Sequence, residues 1–203
     1  MKQIVTITII AFSLFNCKAQ SPILAIETDS RIGISDNSYY KDINNVLNGF
    51  EGTWLYTNGS DTLKIVLIKS TMFNNGDYYE DIMVGGYQYI KNGIEKINTL
   101  SDANNSNLGY SASIWGNTIH NNCNYLPVDD CVDGEKRIDL AILDRVTNKH
   151  DGDLILHKRI INSQEALNAR IEFGYSEATI QEGETVPDPT MPWQMHNIIL
   201  IKQ

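Results

Sequence analysis

The sequence predicts an all-β fold, an antiparallel meander that closes into a β-barrel, with a short N-terminal helix; a β-sandwich is the alternative. Period-two alternation carries the first argument: Leu63, Ile65 and Leu67, then Ile138, Leu140 and Ile142, then Leu167, Ala169, Ile171 and Phe173 each occupy one face of an extended segment. Turn chemistry carries the second, because Asn58-Gly59, Asn74-Asn75-Gly76 and Asn92-Gly93 separate such segments at hairpin spacing. Edge chemistry carries the third. Consecutive hairpins leave two open sheet edges, and closure removes both.

The N-terminus reads as a secretion segment. Met1-Lys2 begins a short positive region, Ile4 to Phe15 is apolar and too short to span a bilayer, and "NCKAQ" follows. Leu14-Phe15-Asn16-Cys17 resembles a bacterial lipobox, which makes Cys17 the lipid attachment residue; Cys17-Lys18-Ala19 before a conventional cut is the other reading. The expected organisation is a signal segment over 1–20, a flexible arm over 21–38 and one barrel-like domain over 39–203. Expected location is beyond the inner membrane, in the periplasm or at the outer membrane, with membrane attachment only through a lipid on Cys17.

With Cys17 removed from the thiol pool, Cys123 and Cys131 remain, eight positions apart in "CNYLPVDDC". An even number in an oxidising compartment predicts a disulfide. Metal binding is the weaker alternative, since no Cys-x-x-Cys or neighbouring histidine pair supplies further ligands. The formal charge of −9 repels phosphate backbones and argues against nucleic acid as a partner.

Along the chain, Ile43, Val46, Leu47 and Phe50 recur at helical spacing and predict a short helix over Lys41 to Leu47, stopped by Asn48-Gly49. Gly52 and Trp54 mark the entrance to the first barrel strand. Gly85-Gly86 inside the next long strand predicts a bulge or bend. Asp151-Gly152 reads as a hairpin turn. Pro187, Pro189 and Pro192 mark a loop before the last strand.

Catalytic patterns are approached without being met. Gly109-Tyr110-Ser111-Ala112-Ser113 and Gly174-Tyr175-Ser176-Glu177-Ala178 lack the final glycine of a nucleophile elbow. His120, His150, His157 and His196 form no metal-binding pair in sequence. Asp129, Asp130, Asp133 and Glu135 crowd one loop, but Cys131 stands where a Ca²⁺ loop needs oxygen. No enzyme, cofactor or metal is therefore expected. Tyrosine is abundant, and Tyr78, Tyr87 and Tyr89 are the candidate ligand-binding residues, with Tyr87 and Tyr89 on one face.

Two resemblances enter at these residues. "YYKDINNVLNGFEGTW", "YYEDIMVGGYQYIKNGIEKINTL", "LAILD" and "GDLILHKR" resemble an uncharacterised family of small secreted proteins and lipoproteins from Bacteroidetes. That resemblance implies an envelope location and an all-β fold, and no activity. Gly52-Thr53-Trp54 resembles the start of lipocalin-like (calycin-type) barrels. Such barrels bury this Trp near one end against a basic residue from a late strand, for which Arg159, Arg170 and Lys202 are available. The expected function is a non-enzymatic envelope domain that binds a small or hydrophobic ligand. The alternative is a structural or interaction module with a filled core, working on an envelope protein through the cysteine loop and the Pro-rich 183–193 segment.

Overall fold

The computed structural model describes residues 21–28, 36–176 and 185–203; the expected signal segment over 1–20 with Cys17, and parts of the expected arm and of the Pro-rich loop, lie outside the described residues. The strands are β1 (Ile23–Ala25), β2 (Tyr39–Lys41), β3 (Gly52–Asn58), β4 (Asp61–Asn74), β5 (Tyr79–Lys91), β6 (Ile94–Asn98), β7 (Ile114–His120), β8 (Arg137–Leu143), β9 (His150–Ile161), β10 (Gln164–Tyr175) and β11 (Gln194–Lys202). Eight of them, β3, β4, β5 and β7 to β11, form a closed antiparallel barrel. The arm contributes β1, which pairs in parallel with β2; β2 in turn lies parallel to the start of β5.

The turns explain the meander. Asn92-Gly93 takes positive φ at both residues, as a two-residue hairpin turn requires. Asn162-Ser163 does the same between β9 and β10, with Ile161 opposite Gln164. Closure comes from β3 meeting β11: Leu55 pairs with Ile201 and Trp54 with Lys202, and the Gln203 amide donates to the Thr53 carbonyl at 2.9 Å.

The barrel is filled. Leu63, Ile65, Leu67, Met83, Tyr87, Ile114, Ile138, Leu140, Ile142, Leu154, Leu156, Leu167, Ile171 and Leu200 form one cluster, essentially without exposed area. Burial of each such side chain contributes about 1.5–3 kcal/mol. Trp54 belongs to this cluster, its indole N–H donates to the Phe50 carbonyl at 2.9 Å, and the Lys202 ammonium lies 5.3 Å from its ring centroid. Of the three basic candidates, Lys202 is the one seated on Trp54.

The short helix expected over Lys41 to Leu47 does not form. Lys41 ends β2, Asn45 adopts φ 53°, and a four-residue 3-10 helix (Leu47–Phe50) follows. Asp42 diverts the chain, because its carboxylate accepts the Val46 and Leu47 amides at 2.8 and 2.9 Å. The segment still closes one barrel end: Leu47 and Phe50 are buried, and the Lys158 ammonium lies 5.9 Å from the Phe50 ring centroid.

Two glycine expectations are also corrected. Gly85-Gly86 carries no bulge; both pair in regular register with Leu67 and Val66. The glycines answer close approach instead. The second edge of β5 is divided among β2 at Tyr79–Glu80, β7 at Met83–Gly85 and β6 from Gln88 onward. Where β6 departs, Thr99 crosses β5, and a Cβ on Gly86 would stand 1.9 Å from the Thr99 carbonyl oxygen. Likewise Asp151-Gly152 lies within β9, where a Cβ on Gly152 would be 2.0 Å from the Glu172 oxygen.

Gly86→Ala is expected to destabilise the protein by about 1–3 kcal/mol through forced backbone movement. A urea midpoint unchanged from wild type would contradict this packing.

Candidate functional site

Alternation sends every second residue of the barrel strands outward. On β7 to β10 the outward side chains line up by register: Trp115 pairs with Ala141, Ala141 with Asp153, and Asp153 with Glu172. The next row runs from Leu143 through Asp151 to Gly174. Ala141 and Gly174 keep the floor low, so the rows enclose an outer groove of about 470 Å³ lined by Trp115, Leu143, Asp151, Asp153 and Glu172.

The groove is acidic, and two of its carboxylates, Asp153 and Glu172, are held in place. Asp153 accepts the Tyr125 hydroxyl proton at 2.8 Å, and this bond pushes the Tyr125 phenol up to about 12. Glu172 accepts from Arg170 and from His196 at 2.9 Å. Burial raises the Glu172 carboxyl, but the Arg170 and His196 contacts outweigh it and leave it below the usual range. Asp139 lies two positions from Ala141 on the same face and pairs with His120 at 3.2 Å. Its carboxyl is raised above the usual value, chiefly by burial.

A loop borders the groove on each side. The cysteine loop is closed by the Cys123–Cys131 disulfide, with Cα atoms 6.0 Å apart. It lies over the outer face of β8 to β11. Asp129 bonds Asn197, Asp130 bonds Arg159 and Asn168, and the Pro127 carbonyl accepts from Arg170 at 2.7 Å. Asp133 accepts the Cys123 amide, and Glu135 bonds Arg159. The four carboxylates of this loop thus turn to protein donors, Asp130 and Glu135 sharing Arg159, instead of converging as a Ca²⁺ cage would require.

The Pro-rich loop sits at the opposite border. Asp144, buried in the β8–β9 turn, accepts the Val146 amide at 2.9 Å, the Thr190 amide at 2.6 Å and the Thr190 hydroxyl at 2.9 Å. His150 reaches the Gly174 and Pro187 carbonyls through its two ring nitrogens. Its ring also packs edge-on against Trp193, 4.8 Å between centroids.

The tyrosine candidates do not meet at one site. Tyr87 and Tyr89 do share a face, but it is the inner one: Tyr87 is fully buried and donates to the Leu143 carbonyl at 3.0 Å. Tyr89 reaches a barrel end, where it lines a pocket of about 300 Å³ with Lys91, Lys96 and Asp188–Trp193. Tyr78 packs on Tyr40 elsewhere. Sequence reasoning missed Trp115, Asp151, Asp153 and Glu172. The period-two pair Asp151 and Asp153 was its one available signal; Trp115 and Glu172 join that pair only through cross-strand register. Ser111 lies in a 3-10 turn and Ser176 follows β10, so neither sits at a nucleophile elbow.

The chain belongs to a family of unknown function, DUF6705, which matches residues 1–203. No curated protein and no solved structure matches it.

Asp144→Ala strands donors on both sides of the β8–β9 turn and is expected to cost about 3 kcal/mol. Hydrogen exchange would show it as faster exchange at the Val146 and Thr190 amides, with the β4–β5 amides protected longest.

Proposed function

We propose that this protein is a non-enzymatic binding module of the cell envelope. Its barrel is a scaffold, and its recognition surface is the outer groove between the cysteine loop and the Pro-rich loop. The ligand class is a lysine- or arginine-bearing segment of a partner protein. One observation carries the reading: Asp151, Asp153 and Glu172 converge on a groove walled by the Trp115 indole. Carboxylates attract an ammonium or guanidinium group, an indole face adds cation–π attraction, and the small-residue floor leaves room for the side chain. The net charge of −9 favours the encounter. The packed interior argues against a ligand inside the barrel. Envelope location rests on the N-terminal sequence pattern and agrees with the disulfide.

Titration with a labelled oligolysine peptide tests this. Binding is expected to weaken as salt rises. The double variant Asp151→Asn, Asp153→Asn is expected to lose about three- to tenfold in affinity. Equal binding by wild type and the double variant would overturn the assignment. So would a small molecule found in native mass spectra of the intact protein, which would return the function to the barrel interior or mouth.

A second reading is hydrolysis at the groove edge, favoured by the raised Asp139 carboxyl beside Asp153. It requires a turnover that Asp139→Asn abolishes; binding without turnover leaves the first reading standing.

A further inference from the structure

Under the cysteine loop lies a polar cluster that the groove does not use. Arg137, His157 and Asn168 form a cross-strand row on the outer face, since Arg137 pairs with His157 and His157 with Asn168. His157 is fully buried, and neither of its ring nitrogens has a hydrogen-bond partner. Glu135 Oε2 is also buried without one, 3.5 Å from His157 Nδ1. Unpartnered buried polar atoms cost about 1–3 kcal/mol each, so a cluster of them calls for a partner.

The sulfur of Cys131, a carboxylate oxygen of Glu135 and a ring nitrogen of His157 lie within 4.8 Å of one another. The Cys123 sulfur, bonded to that of Cys131, is the adjoining fourth donor. Two sulfurs, one imidazole and one carboxylate are a tetrahedral zinc ligand set, whose ligand atoms stand about 3.5 Å apart once bound.

We propose that Cys123, Cys131, Glu135 and His157 form a redox-gated site for Zn²⁺ or a similar thiophilic divalent cation. The gate is electrostatic as well as chemical. With the disulfide intact, the sulfurs are uncharged, and Arg137 and Arg159 flank Glu135, so a cation is repelled. A dithiol reductant supplies two electrons and two protons, splits the sulfur–sulfur bond and is itself oxidised to a disulfide. Zn²⁺ then binds both thiols as thiolates and displaces their two protons. The added negative charge offsets the two arginines. Disulfide and metal thus exclude each other: the disulfide closes the loop on itself, and the metal ties the same loop to β9 through His157.

Co²⁺ titration of the full-length protein tests the site, with and without prior reduction by a phosphine. The reduced protein is expected to bind one equivalent, with thiolate charge-transfer bands and the visible bands of tetrahedral coordination. The oxidised protein is expected to show neither. His157→Gln should weaken Zn²⁺ binding at least about tenfold, measured by chelator competition. Glu135→Gln, on the partly exposed loop, supplies the same comparison should the buried change disturb folding. Absence of thiolate bands in the reduced protein, equal metal uptake by the oxidised form, or unchanged affinity in both variants would overturn the proposal.

Discussion

The meeting of β3 with β11 is the contact on which the rest of the structure depends. It is a short seam of backbone bonds near Trp54, Leu55, Ile201 and Lys202. An open meander would leave two unsatisfied edges and an apolar face partly wet. Closure removes the edges and turns that face into a shared interior. Trp54 secures the seam from within: its indole binds the Phe50 carbonyl, and Lys202 covers the ring. The 3-10 helix and the seam therefore form one end-plug, built from the first and last segments of the barrel.

A filled interior has consequences for function. Side chains that pack the barrel leave chemistry to the outer faces and the ends. On β7 to β10 the outward residues include Asp139, Asp151, Asp153, Glu172 and Trp115, and the two long excursions of the chain dock beside them. The buried Asp144 ties the Pro-rich loop to the β8–β9 turn. Arg159 and Arg170 tie the cysteine loop to β9 and β10. Both loops are thereby held against strands, which gives the surface between them a defined shape.

Polar groups on this outer surface fall into two kinds. Those in the groove are partly solvated, with Asp153 and Glu172 paired and Asp151 exposed. Those beneath the cysteine loop are dry and incompletely paired, with Arg137 spending one nitrogen on the Tyr125 and Leu126 carbonyls. The loop creates this second environment by covering the strands.

Much of the fold was legible in local sequence. Period-two runs located the strands, Asn-Gly pairs located hairpins, and the two cysteines announced their bond. These signals depend on residues adjacent or alternating in the chain. The hairpin at Asn162-Ser163 was missed because serine is an unusual occupant of a positive-φ position that glycine normally advertises. Gly86 and Gly152 were misread as bend and turn, since their reason is a carbonyl from another strand. The helix was misread because Asp42 captured the amides that an α-helix would have used. The sites lay further out of reach. Which face an alternating strand turns inward, and which residues register places side by side, depend on barrel closure. Tertiary structure alone put Asp153 beside Glu172, and His157 beneath Cys131. Sequence by itself determined an all-β meander with a disulfide-closed loop; only the closed barrel decided that its interior is packed and that its chemistry lies outside.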